Sequence, residues 1–171
     1  TGTRGVGKTS VARIFAKSIR CESLSADGQA CEKCSSCENF GDTQSLDVTE
    51  IDGASNNSVD NIRELINNVQ FLPSTGKYRV YIIDEVHMLS SSAFNALLKT
   101  LEEPPEHVIF IFATTEPEKI LDTVLSRCQR FDFRSPSLEK LNSLIVQIAE
   151  KENIKFENNN IIEKISFFGN G

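Results

Sequence analysis

Residues Gly2 to Thr9 read Gly-Thr-Arg-Gly-Val-Gly-Lys-Thr. The spacing G-x-x-x-x-G-K-[ST] confines the chain to strand–loop–helix architectures that grip a nucleoside triphosphate by its phosphates. The glycines let the backbone curl until successive amides face one anion-sized hollow. Behind the loop, Val11, Ile14, Phe15 and Ile19 recur at helical spacing, so Lys8 to Arg20 reads as a helix whose N-terminal dipole end faces the same phosphates. Lys8 is placed to reach the β- and γ-phosphates, and the Thr9 hydroxyl to ligate Mg²⁺. Gly2, Thr3, Arg4, Gly5, Val6, Gly7, Lys8, Thr9 and Ser10 form the candidate nucleotide-binding segment. The plain alternative is a glycine turn ahead of a helix that happens to hold a lysine. A P-loop ordinarily follows a strand and none precedes Thr1, so the chain is expected to start inside a domain.

A matching acidic strand lies downstream. Arg79 to Glu85 is an apolar run ending in two acids, the pattern of a strand buried on both faces of a parallel sheet. Ligands of such sheets sit at the carboxyl ends of the strands, where Asp84 and Glu85 fall. Asp84 is expected to partner Mg²⁺ as in a Walker-B strand, and Glu85 to position and polarise the attacking water. Two acids solvating a strand end is the bland alternative. His107 to Ala113 reads as another doubly buried strand, ending in Thr114 and Thr115 at the same sheet edge. Asp84 to His87 also matches a helicase DExH box, but four residues are a weak motif and nothing else supports it. His87 and His107 read as ordinary surface or packing residues.

The stretch from Cys21 to Ser45 differs in kind: polar, poor in large apolar residues, and unable to hold itself by burial. Its cysteines, Cys21, Cys31, Cys34 and Cys37, fall as C-x9-C-x2-C-x2-C, four thiolates suited to tetrahedral Zn²⁺. A redox C-x-x-C pair and an iron–sulfur cluster stay open as alternatives. Four protein ligands leave no open position, so a structural metal is expected. Leu46 to Ile51 reads as a strand, Val59 to Val69 as a helix, and Ser90 to Glu102 as a helix capped by Ser90 and stopped by Pro104 and Pro105. Ile120 to Arg127 reads as a short helix and Gln129 to Phe133 as a last strand. Two helical patterns follow, Leu138 to Asn153 and Asn160 to Phe168.

A chain of 171 residues that is 39% hydrophobic can bury a core in one or two domains. Its formal charge of −6 excludes a global basic field for nucleic acid, and no apolar run reaches membrane-spanning length. Between Cys21 and Ser45 the single basic residue, Lys33, stands against Glu22, Asp27, Glu32, Glu38 and Asp42. That balance argues against phosphate binding by the cysteine insert and against a third reading, a zinc-dependent nucleic-acid module.

Several motifs now agree in order over nearly the whole chain. They are the P-loop, the four-cysteine insert after the first helix, Glu-Ile-Asp-Gly-Ala-Ser at 50–55 and Asp-Glu-Val-His-Met-Leu at 84–89. Leu-Leu-Lys-Thr-Leu-Glu-Glu-Pro-Pro at 97–105, Ala-Thr-Thr-Glu-Pro at 113–117 and Ser-Arg-Cys at 126–128 follow. The sequence resembles the bacterial DNA polymerase III gamma/tau family, the ATPase subunits of the sliding-clamp loader. The resemblance implies an α/β P-loop NTPase fold of AAA+ type, a parallel central sheet flanked by helices. Residues 1–134 would form the nucleotide-binding domain with a zinc insert at 21–45, and residues 135–171 the start of a helical lid. It implies ATP, Mg²⁺ and a structural Zn²⁺ as cofactors. Thr115 falls at the sensor-1 position, with Thr114 as its neighbour, and Arg127 at the arginine-finger position that completes the adjacent subunit's site. Cys128 is expected to pack, and a sensor-2 arginine to lie beyond Gly171.

The partners implied are the delta and delta-prime subunits, further gamma/tau copies, the sliding clamp and primer-template DNA, in the bacterial cytoplasm as part of a nucleotidyltransferase holoenzyme. DNA contact is expected at the N-termini of the helices after Ser55 and Ser90. A non-hydrolysing scaffold of the delta-prime type is the competing function; the intact Gly7-Lys8-Thr9 and Glu85 favour the ATPase. Without the strand ahead of the loop, residues 1–171 alone are expected to bind ATP poorly.

Overall fold

The computed structural model describes residues 1–40, 47–156 and 158–169. The chain divides into two compact units, one formed by Thr1 with Lys8–Phe131, the other by Gly2–Gly7 with the described residues from Asp132 onward.

The first unit is built on a parallel three-stranded sheet of order β1 (Val48–Asp52), β2 (Arg79–Asp84), β3 (Val108–Phe112). In β2, residues 79 to 83 are all buried, because successive side chains point to opposite faces and both faces are covered. Val80 and Ile82 meet helix α1 (Lys8–Arg20). Tyr81 and Ile83 meet helices α3 (Val59–Val69) and α4 (Ser91–Glu102) through Ile62, Leu65, Val69, Phe94 and Leu97. Serine caps start both latter helices: Ser58 accepts the amide of Asn61 at 3.3 Å, and Ser90 that of Ala93 at 3.2 Å.

Four expectations are revised by packing. The face of α1 against the sheet is Ala12 and Ala16, whose small side chains let helix and strand approach, while Val11, Ile14 and Phe15 are exposed. β3 is the outer strand of the described sheet, so only Val108 in it is fully buried. The expected last strand, Gln129 to Phe133, is an irregular segment that contributes one isolated bridge, Phe133 to Gly2. The helix expected over 120–127 is a 3₁₀ turn, Pro117–Lys119, followed by α5 (Asp122–Leu125); Pro117 removes an amide at the start of that turn. β1 begins at Val48, and Leu46 lies outside the described residues.

A buried ion pair missed in the sequence fixes the base of the sheet. The guanidinium of Arg20, at the end of α1, donates to Asp47 at 2.9 Å, to the Thr75 carbonyl at 3.1 Å and to the Tyr78 carbonyl at 3.0 Å. Asp47 also accepts the amides of Ser74 at 2.8 Å and Thr75 at 2.9 Å. Burial pulls the Asp47 carboxyl upward, but those amides and Arg20 outweigh it and hold the group below its ordinary range. Arg20 and Asp47 flank the cysteine insert, so the pair closes the insert's two ends onto the sheet.

In the second unit, α6 (Leu138–Lys151) packs on α7 (Asn159–Gly169), and Ser137 caps α6. Ser166 donates to Asn142 between the two helices. Gly2 belongs here for a steric reason: a Cβ on it would stand 2.5 Å from the Phe133 carbonyl oxygen, and its φ is +152°. Thr3 and Ser135 share a hydroxyl hydrogen bond of 3.0 Å.

Candidate active site

The carboxyl ends of β1, β2 and β3 carry the acidic and hydroxyl groups. The first turn of α1 reaches the same end, where the Thr9 hydroxyl donates to Asp84 at 2.7 Å. The other Asp84 oxygen accepts the amide of Glu85 at 2.9 Å. Lys8 opens α1 beside Thr9, and Ser10 follows in the same turn. Arg13, one turn on, makes a bidentate pair with Glu50 of β1 at 2.6 and 2.7 Å, tying the helix to the sheet.

Glu85 leaves β2 in the left-handed region, φ 45° and ψ 47°. A non-glycine residue there is strained by about 1–3 kcal/mol, a conformation kept where the surroundings over-determine it. Val86 donates its amide to the Ala113 carbonyl at 3.0 Å, and Ala113 its own to the Ile83 carbonyl at 2.9 Å, so the ends of β2 and β3 stay joined past the regular strands. The turn throws the Glu85 carboxylate onto the loop after β3. Thr115 donates to one of its oxygens twice, from the amide at 3.2 Å and the hydroxyl at 3.0 Å. Thr114 is buried and faces His87 instead, at 2.9 Å from Nδ1. Of the two threonines, Thr115 is the one in contact with Glu85.

Sequence reasoning took His87 for an ordinary side chain. Its ring is 5% exposed and lies inside this cluster, with Nδ1 3.4 Å from Glu85 and Nε2 3.1 Å from Glu116. The Asp-Glu-Val-His spacing was the available signal; what it lacked was the loop after β3, which supplies the partners. Glu116 itself pairs with Lys119 at 2.7 Å, and that bond holds its carboxyl below the ordinary range. His107 sits elsewhere, its Nε2 3.2 Å from the Val69 carbonyl.

The loop after β1 completes the floor of the site. Asp52 accepts from the Ser55 hydroxyl at 2.7 Å and from the Ala54 amide at 3.0 Å, an Asx turn. Ser55 above all, then the Ala54 amide, holds the Asp52 carboxyl low. Gly53 donates to the Asp84 carbonyl at 2.7 Å, and a Cβ on Gly53 would stand 2.7 Å from the Glu85 carbonyl oxygen. Only glycine allows this approach.

Arg127 is away from this cluster, on the turn after α5, paired with Glu102 at 2.9 Å and donating to the Thr123 carbonyl. Cys128 packs against the sheet core, and burial raises its thiol.

The four insert cysteines do come together. The Sγ atoms of Cys21, Cys31, Cys34 and Cys37 lie within 4.8 Å of one another. The Cys31–Cys37 and Cys21–Cys34 separations are 4.0 Å, near the ~3.8 Å edge of a tetrahedron with Zn–S bonds of ~2.3 Å and far from a disulfide at ~2.05 Å. The Cys31 amide points at Cys21 Sγ and the Cys34 amide at Cys31 Sγ, both at 3.3 Å, which favours thiolates. The Cys34 thiol is held down to about 6, first by the Glu22 amide, while burial pushes Cys37 up to about 12. This donor set could hold zinc. Helix α2 (Ser35–Glu38) carries Cys37 inward, and residues 41–45 of the expected insert lie outside the described residues.

A parallel sheet bearing Asp84 and Glu85 at its carboxyl edge, with the Lys8-Thr9 helix start beside them, has the fold of P-loop ATPases of the AAA+ type. Solved structures of that type share it. A gamma-subunit-related DNA polymerase III protein of Thermotoga maritima superposes with TM-score 0.55 at 22% identity, over 92% of this chain and 58% of that one. The Thermotoga maritima RuvB Holliday junction branch migration motor superposes with TM-score 0.62 at 16% identity, over 96% and 46%. Residues 1–137 match the family described as DNA polymerase III, delta subunit, and the chain belongs to this family of DNA polymerase III subunits. In sequence it is similar to subunit tau of Bacillus subtilis strain 168, 54% identical over 92% of this chain and 28% of that protein. Subunit tau of Escherichia coli K12 is 47% identical over 92% and 24%. Subunit gamma of Buchnera aphidicola subsp. Schizaphis graminum is 46% identical over 100% and 47%. The chain thus spans between a quarter and a half of the length of these relatives. Among the described residues no helix is long and apolar enough to cross a membrane.

Proposed function

We propose that this chain is the nucleotide-binding region of a clamp-loader ATPase subunit of gamma/tau type. ATP hydrolysis, in the intact protein of the bacterial cytoplasm, would drive opening of the sliding clamp and its placement on primed DNA. The observation that carries this reading is the pair of contacts at the strand ends. The Thr9 hydroxyl and the Asp84 carboxylate, both suited to Mg²⁺, are in direct contact, and Glu85 is gripped by Thr115. Bound Mg²⁺ would supply charge neutralisation at the phosphates. Lys8 would hold the β- and γ-phosphates beside the Thr9 hydroxyl. Glu85 would orient and deprotonate the attacking water, with Thr115 registering the γ-phosphate by its hold on that carboxylate.

Arg127 would serve a neighbouring subunit's site, which fits its place outside this cluster. The cysteine insert would hold a structural Zn²⁺, with no role in hydrolysis. The competing reading, a non-hydrolysing scaffold of delta-prime type, is disfavoured by the complete Lys8–Thr9–Asp84–Glu85 set. The partners proposed with this reading are other clamp-loader subunits, the clamp and primer-template DNA.

The test is ATP binding and turnover by the intact subunit, alone and in its complex. Lys8→Ala should lose binding. Glu85→Gln should bind ATP with turnover lowered about 10²–10⁴-fold. Arg127→Ala should depress hydrolysis only in the complex, by about 10³-fold or more at the affected site. Unchanged turnover by Glu85→Gln would overturn the assignment of Glu85 as the residue that positions the water, and an intact subunit that shows no turnover in its complex would return the chain to the scaffold reading.

A further inference from the structure

The His87 side chain is 5% exposed, lies inside the cluster, and is not used by the mechanism above. Both of its nitrogens are engaged, and all their partners but Glu85 come from the loop after β3. Nδ1 lies 2.9 Å from the Thr114 hydroxyl and 3.4 Å from Glu85, and Nε2 3.1 Å from Glu116. The bonding arithmetic fixes part of the proton inventory. A carboxylate has no hydrogen to give, so Nε2 carries the proton that meets Glu116. The Thr114 hydroxyl that meets Nδ1 also accepts the Glu116 amide at 3.0 Å, which ties the two ends of the loop to each other. The ring thereby fastens residues 114 to 116 at two points. Between those points sits Thr115, whose amide and hydroxyl both end on Glu85.

We propose that His87 is a positioning residue for the hydrolytic site: it locks the Thr114–Glu116 loop so that Thr115 meets the Glu85 carboxylate. Glu116 and Thr114 act with it as the two ends of the lock. The geometry assigns this role to a residue three positions beyond Asp84 whose contacts are with Thr114, Glu85 and Glu116, on the side of the site that handles water. Its loss therefore falls on turnover and spares ATP affinity. The inference rests on the hydrolytic reading of Glu85, and the experiment separates the two.

The test measures single-turnover hydrolysis and ATP affinity of the intact subunit in its complex, for His87→Leu, His87→Asn, Thr114→Val and Glu85→Gln. His87→Leu should lower the hydrolysis rate roughly ten- to a hundredfold, the scale of a slightly misplaced catalytic group, with the Kd for ATP within about threefold. Thr114→Val breaks the same link from the other side and should show the same split. His87→Asn, whose amide reaches the place of Nδ1, should recover the rate to within about threefold of the parent. The proposal is overturned if His87→Leu hydrolyses at the parent rate, if affinity falls in step with rate, or if His87→Asn is as impaired as His87→Leu. Parent-rate turnover by Glu85→Gln would overturn the hydrolytic reading of Glu85 itself, and this inference with it.

Discussion

Replacing Asp47 by alanine should open the sheet more readily than any other single change at its base. The carboxylate is buried, and it receives Arg20 at 2.9 Å, the Ser74 amide at 2.8 Å and the Thr75 amide at 2.9 Å. Removing it leaves a buried guanidinium without its counter-charge and two amides without an acceptor. Breaking a buried pair from one side costs about 3–5 kcal/mol, and since Arg20 keeps the Thr75 and Tyr78 carbonyls, the lower end of that range, ~3 kcal/mol, is expected. At about 1.4 kcal/mol per tenfold, this is roughly a hundredfold loss of protection. Hydrogen exchange of the intact subunit reads it directly, in the amides of β1 and β2, whose exchange requires the sheet to open.

Arg20→Met with Asp47→Leu should be milder than either single replacement, because no charge is left stranded. The pH dependence gives a second reading with a definite sign. The native carboxyl is held below its unfolded value of about 3.9, so its contribution is complete above about pH 4 and is lost as pH falls through the lowered native value. Asp47→Asn should lack that acid-side loss. Protection reduced less than about fivefold in Asp47→Ala would refute the reasoning, since ~1 kcal/mol is what an exposed pair contributes.

Two further outcomes follow from the same geometry. Gly53→Ala places a Cβ 2.7 Å from the Glu85 carbonyl oxygen; the shift it forces should cost about 1–3 kcal/mol and slow ATP turnover, and unchanged kinetics would show that the Glu85 backbone need not stay where it is. The cysteine cluster should bind one zinc per chain, released by a chelator in competition assays. Cys34→Ser should abolish stoichiometric zinc while ATP binding by the intact subunit persists, because the insert's ends are closed independently by Arg20 and Asp47.

The sequence by itself determined a good deal of this protein. The phosphate loop, the four-cysteine spacing and the apolar run of β2 are local patterns, each dictated by what a few consecutive residues must do. Helix α3 and the Ser90 cap were legible for the same reason. The family resemblance rests on several such patterns in order. Tertiary structure decided what depends on neighbours distant in sequence. The stripe on α1 was readable as amphipathic, but which residues meet the sheet depended on how closely the helix approaches, and Ala12 and Ala16 won over Ile14 and Phe15. Residues 129–133 have strand-like composition, but among the described residues they pair only through one bridge, Phe133 to Gly2.

At the candidate site, Asp84, Glu85 and Thr9 could be named from motifs. Thr115 rather than Thr114 as the contact of Glu85, the burial of His87, and the need for glycine at 53 could not. Each of those is set by the meeting of loops after different strands, across 27 to 32 residues of chain. Arg20 and Asp47 were invisible for the same reason: a charge reads as surface until a partner from another element arrives to take it out of water.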